Sequence, residues 1–246
     1  MRDKPTRRAF LDAAISALMP NRRDHPAITL FNGMQSETAV THVLEARDLC
    51  CIRDDRTLFS GLNFTLNSGE ALILEGRNGS GKTSLLRILC GIRLPDEGKL
   101  LWQDEDAHRI GAEFHQHIAY LGHRDGNKLD LTPEENLRIA QGLGRARADV
   151  SIDEALEKVG LYGFEDVPTR NLSAGQQRRV AIARLLITEA ELWILDEPFT
   201  SLDRKGIEDV EDMFDQHLAR GGMSVLTTHH RMNFELGKVH RINLSE

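Results

Sequence analysis

Apolar residues fall in short runs along this chain, each closed by glycine, asparagine, aspartate or serine. Val43–Cys51 reads as a first strand, and the charged Arg53-Asp54-Asp55-Arg56 as a turn. Asn63–Leu66 and Ala71–Glu75 read as strands separated by the turn residues Asn67-Ser68-Gly69. A glycine-rich turn then opens a predicted helix, Lys82–Cys90, with Leu85, Leu86 and Leu89 on one face. Lys99–Trp102 and Ile118–Leu121 are short apolar strands. Between Thr132 and Leu186 the spacing becomes helical. Thr132 is placed to cap a helix with Pro133 at its first position and Glu134 and Glu135 in its first turn, and Ser151-Ile152-Asp153-Glu154 starts another as a capping box. Leu192–Leu195, Val225–Thr227 and Val239–Leu244 close the series as strands. Strands alternating with helices predict an α/β fold, a mostly parallel sheet with helices on both faces, into which a helical subdomain is inserted over about residues 124–186.

Length and composition narrow the function. With 246 residues, 40% of them hydrophobic, the chain can bury one large core with a subdomain. A net charge of −7 and the absence of a basic stripe argue against nucleic acid as a partner. Three cysteines, two of them adjacent, suit a reducing compartment better than a disulfide framework. No apolar run approaches the ~20 residues that span a bilayer, so a membrane role must come through a partner. Residues 1–41 form a separate leader. Thr6-Arg7-Arg8-Ala9-Phe10-Leu11 has the look of a twin-arginine address, but Asp12 interrupts the apolar stretch and no small-residue cleavage site follows. The leader is read either as disordered or as lying upstream of a natural start at Met34, with one domain over 42–246.

Gly76-Arg77-Asn78-Gly79-Ser80-Gly81-Lys82-Thr83 is a G-x-x-x-x-G-K-T loop between an apolar strand and a helix. Glycines let successive backbone N–H groups turn toward phosphate oxygens, and the helix N-terminus adds positive potential. Lys82 would reach the β and γ phosphates, and Thr83, with Ser84 beside it, would offer its hydroxyl to Mg²⁺. Such a pattern arises by chance in about one chain in a hundred of this size, and its position between strand and helix makes chance rarer still. Downstream, four apolar residues end in Asp196-Glu197-Pro198. Acids at the carboxyl end of a buried parallel strand lie where ligands bind. Asp196 suits the metal and Glu197 an attacking water; a solvated acidic turn is the plainer alternative.

Leu172-Ser173-Ala174-Gly175-Gln176-Gln177, ahead of those acids, resembles the signature of ABC-type ATPases, with Ala174 in place of the usual glycine. Ser201-Leu202-Asp203 resembles the D-loop of that family, and Thr228-His229 its switch histidine. The five motifs run in the family's order from about Val43 to the end of the chain. The resemblance implies a P-loop core with an N-terminal antiparallel β portion, ATP and Mg²⁺ as ligands, and a head-to-tail homodimer or pseudo-dimer. Each ATP would lie between one chain's phosphate loop and the other's Ser173, Gly175 and Gln176, with Asp203 nearby, and His229 would hold the γ phosphate and water in register with Glu197. Residues 172–186, 192–203 and 225–230 closely resemble the ATP-binding subunits of bacterial haem exporters of cytochrome c maturation. That implies integral membrane permease partners and a peripheral place on the cytoplasmic face of the inner membrane. An ABC ATPase of another membrane complex, of the division type or another exporter, shares the same motifs.

Two positions depart from the general family. The adenine-stacking aromatic corresponds to Arg53, 23 residues before Gly76. A guanidinium can stack on a purine, and a solvated turn arginine is an equal reading. The glutamine expected after Ile118–Leu121 is His123, whose neutral imidazole can still contact Mg²⁺ or water; the haem-exporter relatives share it. His115-Gln116-His117 with His123 suggests a metal or haem site, since alternate residues of a strand would put two imidazoles on one face. No Cys or carboxylate completes the set, so the histidines are read as polar surface residues, with Arg178-Arg179 as a solvated helix face. Replacing Lys82 with alanine is expected to abolish tight MgATP binding, because ATP would lose the one side-chain cation aimed at its β and γ phosphates. Fluorescence titration checks it, and parental affinity in the variant would remove the loop from the site.

Overall fold

The computed structural model describes residues 42–230 and 237–245, so the reading of the leader over 1–41 lies outside the described residues. Two sheets organise the rest. The first is antiparallel, in the order β2-β1-β4-β5, from β1 (Val43–Arg53), β2 (Arg56–Asn67), β4 (Glu97–Trp102) and the short β5 (Glu105–Asp106). Asp54 and Asp55 both take left-handed backbone (φ 51° and 58°), the conformation that a two-residue hairpin needs, and it brings Arg53 opposite Arg56. The predicted second strand, Asn63–Leu66, is thus the end of a longer one that reaches back to the hairpin.

The second sheet is wholly parallel, in the order β6-β7-β8-β3-β9, from β3 (Glu70–Glu75), β6 (Ile118–Leu121), β7 (Leu192–Asp196), β8 (Met223–Thr227) and β9 (Lys238–Asn243). Every residue of β7 and β8 is buried, as expected of strands covered on both faces. Alternation along these strands divides two cores. Trp193 and Leu195 of β7, Ile73 of β3 and Leu226 of β8 enter one; Leu192, Ile194, Leu72, Leu74 and Val225 enter the other. Because β3, β8 and β7 are neighbours, the segments leaving their carboxyl ends come together along one edge.

Helix α1 (Lys82–Leu89) packs its Leu85, Leu86, Ile88 and Leu89 into the second core, against β7 and β8. Two four-residue helices follow β5, α2 (Ala107–Ile110) and α3 (Ala112–His115). His115 therefore ends a helix rather than lying on a strand. Its Nε2 sits 3.1 Å from the Cys90 carbonyl, while His117 Nδ1 sits 3.0 Å from the Glu191 carboxylate, so the two imidazoles part. Among the described residues no group of three or more His, Cys, Asp or Glu could hold a metal.

The helical subdomain consists of α4 (Pro133–Leu143), α5 (Ile152–Lys158), a 3-10 turn (Thr169–Asn171) and α6 (Ala174–Ile187), which packs on both α4 and α5. Capping boxes begin all three helices: Thr132 with Glu135, Ser151 with Glu154, and Ser173 with Gln176. The sequence reading also missed α7 (Arg204–Ala219), although its buried Val210, Met213, Phe214 and Leu218 keep helical spacing among acids. No helix among the described residues is long and apolar enough to cross a membrane.

Both tryptophans of the chain stack on imidazoles. Trp102 lies on His42 (5.4 Å between centroids, 19° between planes) and Trp193 on His217 of α7 (3.9 Å, 7°). The His217 ring also fills the place a side chain would take at Gly222, where a Cβ would lie 2.2 Å from it. Its Nε2 is 3.1 Å from the Met223 carbonyl, so the neutral ring donates from that nitrogen. Burial pushes this imidazole from 6.5 down to about 4; the Met223 hydrogen bond opposes the shift and nearby Arg220 and Arg147 add to it. Between those two pH values the unfolded chain takes up a proton that the folded chain refuses. The stability contributed by this ring is whole above pH 6.5 and falls away as the pH drops toward about 4, by up to ~3 kcal/mol. His217→Phe, which keeps a ring on Trp193, is expected to flatten the fall in melting temperature over that window. An unchanged acid limb in thermal melts would show that other groups cause it.

Candidate nucleotide site

The phosphate loop leaves β3 after Glu75 and turns through positive φ at Gly76 (138°), Gly79 (82°) and Gly81 (104°), backbone that a side chain would strain. Gly81 caps α1 without a side-chain hydrogen bond, and the first turn of α1 carries no acid. The positive end of the helix therefore opens into the site uncompensated. Lys82 Nζ folds back over the loop and donates to the carbonyls of Gly76 (2.6 Å) and Arg77 (3.2 Å). Arg77 N donates to Ser245 Oγ at 2.7 Å, and Ser80 N to the Arg77 carbonyl at 3.1 Å. The Ser80 hydroxyl is buried without a partner, 2.6 Å from where a Cβ on Gly76 would stand.

Asp196 ends β7 at 5% exposure. Its Oδ2 accepts from Thr83 Oγ1 of α1 (3.0 Å) and its Oδ1 from Thr227 Oγ1 of β8 (2.7 Å). The same Thr227 hydroxyl accepts from Glu197 N at 2.9 Å. Thr227, which the motifs did not point to, thus joins the two acids. The signal was available, because Thr227 is the register partner of Asp196 in the adjoining strand. Glu197 has φ 50°, a left-handed backbone rare outside glycine and concentrated at functional sites. Its Oε1 lies 3.5 Å from His229 Nε2, on the segment leaving β8.

These groups surround an open cleft of about 600 Å³. Asn78, Gly79, Gly81 and Lys82–Ser84 line it from the loop, and Asp196, Glu197 and His229 from the strand ends. Arg53 enters from the β1–β2 hairpin and His123 from the loop after β6. Leu58 and Thr200, not anticipated, complete the wall. Ser173, Gly175 and Gln176 are not part of this cleft. Ser173 Oγ accepts from Gln176 N (3.2 Å) and Gln176 Oε1 from Ser173 N (2.9 Å), at the exposed start of α6. A Cβ on Gly175 would come within 2.6 Å of the Ser201 carbonyl, so the glycine allows α6 to sit against that loop. Asp203 caps α7 by accepting from Gly206 N (2.9 Å) and also holds Arg179 (2.6 Å).

Arg178 and Arg179 are not a solvated face. Arg178 is 3% exposed, with its guanidinium enclosed by the carbonyls of both site loops. Arg179 donates to the Val159 carbonyl at 2.7 Å as well as to Asp203. Hydrophilic letters at these positions conceal donors turned inward to the main chain.

Residues 59–200 match the family model described as ABC transporter. The cytochrome c biogenesis ATP-binding export protein CcmA of Shigella flexneri is 50% identical over 204 residues, 83% of this chain and 97% of that protein. CcmA of Escherichia coli K12 is 49% identical over the same shares. Among solved structures, an ABC transporter ATP-binding protein from Pyrococcus furiosus superposes with a TM-score of 0.71 at 23% identity, over 82% of this chain and 97% of that one. The cbiO1 protein of Clostridium perfringens, part of the ABC transporter complex cbiONQ, gives 0.61 at 26% identity, over 76% and 78%. An α/β core whose phosphate loop and paired acids meet at one sheet edge, with half-identity over 97% of CcmA, places the chain in the ABC transporter ATP-binding family, with the CcmA proteins of cytochrome c biogenesis.

Proposed function

We propose that this ATPase powers a haem exporter of cytochrome c biogenesis, hydrolysing ATP in the 600 Å³ cleft with Glu197 as the general base. The observation that carries the catalytic part is the convergence of Lys82, Asp196, Glu197 and His229 on one cleft, with the two acids fixed by a single Thr227 hydroxyl. The half-identical CcmA relatives, cytochrome c biogenesis ATP-binding export proteins, support the export role.

The donor set fits Mg²⁺. Thr83 and Asp196 bring a hydroxyl and a carboxylate within 3.0 Å of each other, hard oxygens of the kind that ion takes one or two at a time beside phosphate and water. His123 faces the same space and would hold a metal-bound water. Held by Thr83 and Asp196, the ion would supply charge neutralisation to the phosphates. The chain does the rest. Lys82 exchanges its two loop carbonyls for phosphate oxygens. The amides of Gly79–Thr83 at the head of α1 surround the remaining oxygens. Arg53 stacks on the adenine. Glu197 accepts a proton from the attacking water while His229, beside its carboxylate, aligns water and γ phosphate.

The site is completed by a second copy or a homologous chain. Ser173, Gly175 and Gln176 stand at a capped helix start outside their own cleft, and a head-to-tail pair would present them to the partner's γ phosphate, with Asp203 at the seam. Membrane permease subunits would be the other partners, holding this chain peripherally on the cytoplasmic face of the inner membrane. Nucleic acid is no part of the reading.

Glu197→Gln is expected to retain ATP binding, lose the base-assisted part of the rate, a factor of ~10²–10⁴, and accumulate an ATP-bound dimer. The amide keeps the shape but removes a negative charge that opposes closure around ATP. Size-exclusion chromatography with MgATP would show the dimer in the variant and mostly monomer in the parent. Parental hydrolysis in the variant would rule Glu197 out as the base. For the partners, purification from detergent-extracted membranes should bring down polytopic permease chains; a single-pass division protein instead would overturn the export reading.

A further inference from the structure

All five N–H donors of Arg178 are engaged, and four of them end on main-chain carbonyls of the two loops that carry His123 and Glu197. Nε donates to Pro198 O at 3.2 Å. One terminal nitrogen donates to Gly122 O (3.1 Å) and to the Asp125 carboxylate (2.9 Å). The other donates to Asp196 O (3.0 Å) and Glu197 O (2.7 Å). His123 lies between the residues held on one side, and Glu197 is itself held on the other. The guanidinium is a rigid planar fork, so its acceptors keep a fixed spacing and angle to one another. Asp125 supplies its counter-charge and is held in turn through its own carbonyl by Arg184.

We propose that Arg178 is a positioning residue for ATP hydrolysis, a clamp that sets the His123 loop and the Glu197 turn in register so that both side chains meet the lytic water together. The proposal rests on the reading of Glu197 and His123 given above. A buried ion pair needs a single carboxylate, yet here the carbonyls of residues 122, 196, 197 and 198 gather round one side chain. They include that of Glu197, whose φ of 50° is the kind of backbone that persists only where neighbours hold it. Placement on α6 gives the clamp a second consequence. Ser173, which begins the helix, is five residues and ~7.5 Å upstream, so displacement of that end is transmitted to the chain's own acids.

The test uses the full chain and MgATP with Arg178→Lys and Arg178→Gln. Lysine keeps the charge but radiates its three donors from one point, so it cannot span both loops. Both variants should leave the KM for ATP and nucleotide affinity unchanged, since the phosphate loop is untouched. Both should lower kcat, by ~10²-fold for a misplacement near 1 Å. In a Glu197→Gln background, where the base is already gone, Arg178→Lys should cost less further hydrolysis than it does in the parent, a non-additivity that marks action through Glu197. Parental kcat in both variants, a parallel loss of affinity and rate, an undiminished further loss in the Glu197→Gln background, or failure of both variants to fold would each overturn the clamp. If Glu197→Gln itself hydrolyses ATP at the parental rate, the base assignment falls instead, and that result is read without any Arg178 variant.

Discussion

Asp196 holds its carboxylate at 5% exposure, and a charge taken that far from water has to be met by donors fixed in place. Those donors come from two other elements: the Thr83 hydroxyl at the head of α1 and the Thr227 hydroxyl at the end of β8. Satisfying one carboxylate therefore sets the height of the phosphate loop against the strand ends and closes β7 onto β8. The Thr227 oxygen, having donated to Asp196, accepts from Glu197 N–H, and the chain must turn into a left-handed conformation just where its second acid begins. The geometry of the cleft's acid wall follows from keeping a buried carboxylate satisfied.

Around that point the strands act as partitions. Alternate side chains of β3, β7 and β8 enter separate cores, one shared with the helical subdomain and one with α1 and the antiparallel sheet. A strand buried on both faces cannot slip by one residue without exchanging all its contacts, so the carboxyl ends that bear Asp196 and Thr227 are held in register by hydrophobic packing well below them. The subdomain reaches the same place by another route, through a buried guanidinium whose acceptors are main-chain oxygens.

Local features of the site were legible in the sequence because their physics is local. A glycine-rich turn between strand and helix, two acids after four apolar residues and a Ser-x-x-Glu cap each carry their partners within a few positions. Features that depend on distant partners were not legible. Arg178 has the letter of a surface residue, and the carbonyls of residues 122 and 196–198 that surround it leave no trace in side-chain patterns. Helix α7 was legible and was missed: Val210, Met213, Phe214 and Leu218 recur at i, i+3, i+4 and i+8 with acids on the other face, behind an Asp203 cap that reads equally as part of the preceding loop. His115 was placed on a strand because alternation suggested one, whereas a short helix beginning at Ala112 takes it in.

The stacking of both tryptophans on imidazoles has a spectroscopic consequence. A protonated imidazole in face contact withdraws electron density from an excited indole and quenches its emission, whereas a neutral ring does not. Burial holds both His42 and His217 below the ordinary histidine range. Neither tryptophan lines the nucleotide cleft. Emission from Trp193, whose ring lies 3.9 Å from that of His217, is therefore expected to dim as the pH falls toward about 4, and ATP occupancy is better followed with a fluorophore on the nucleotide.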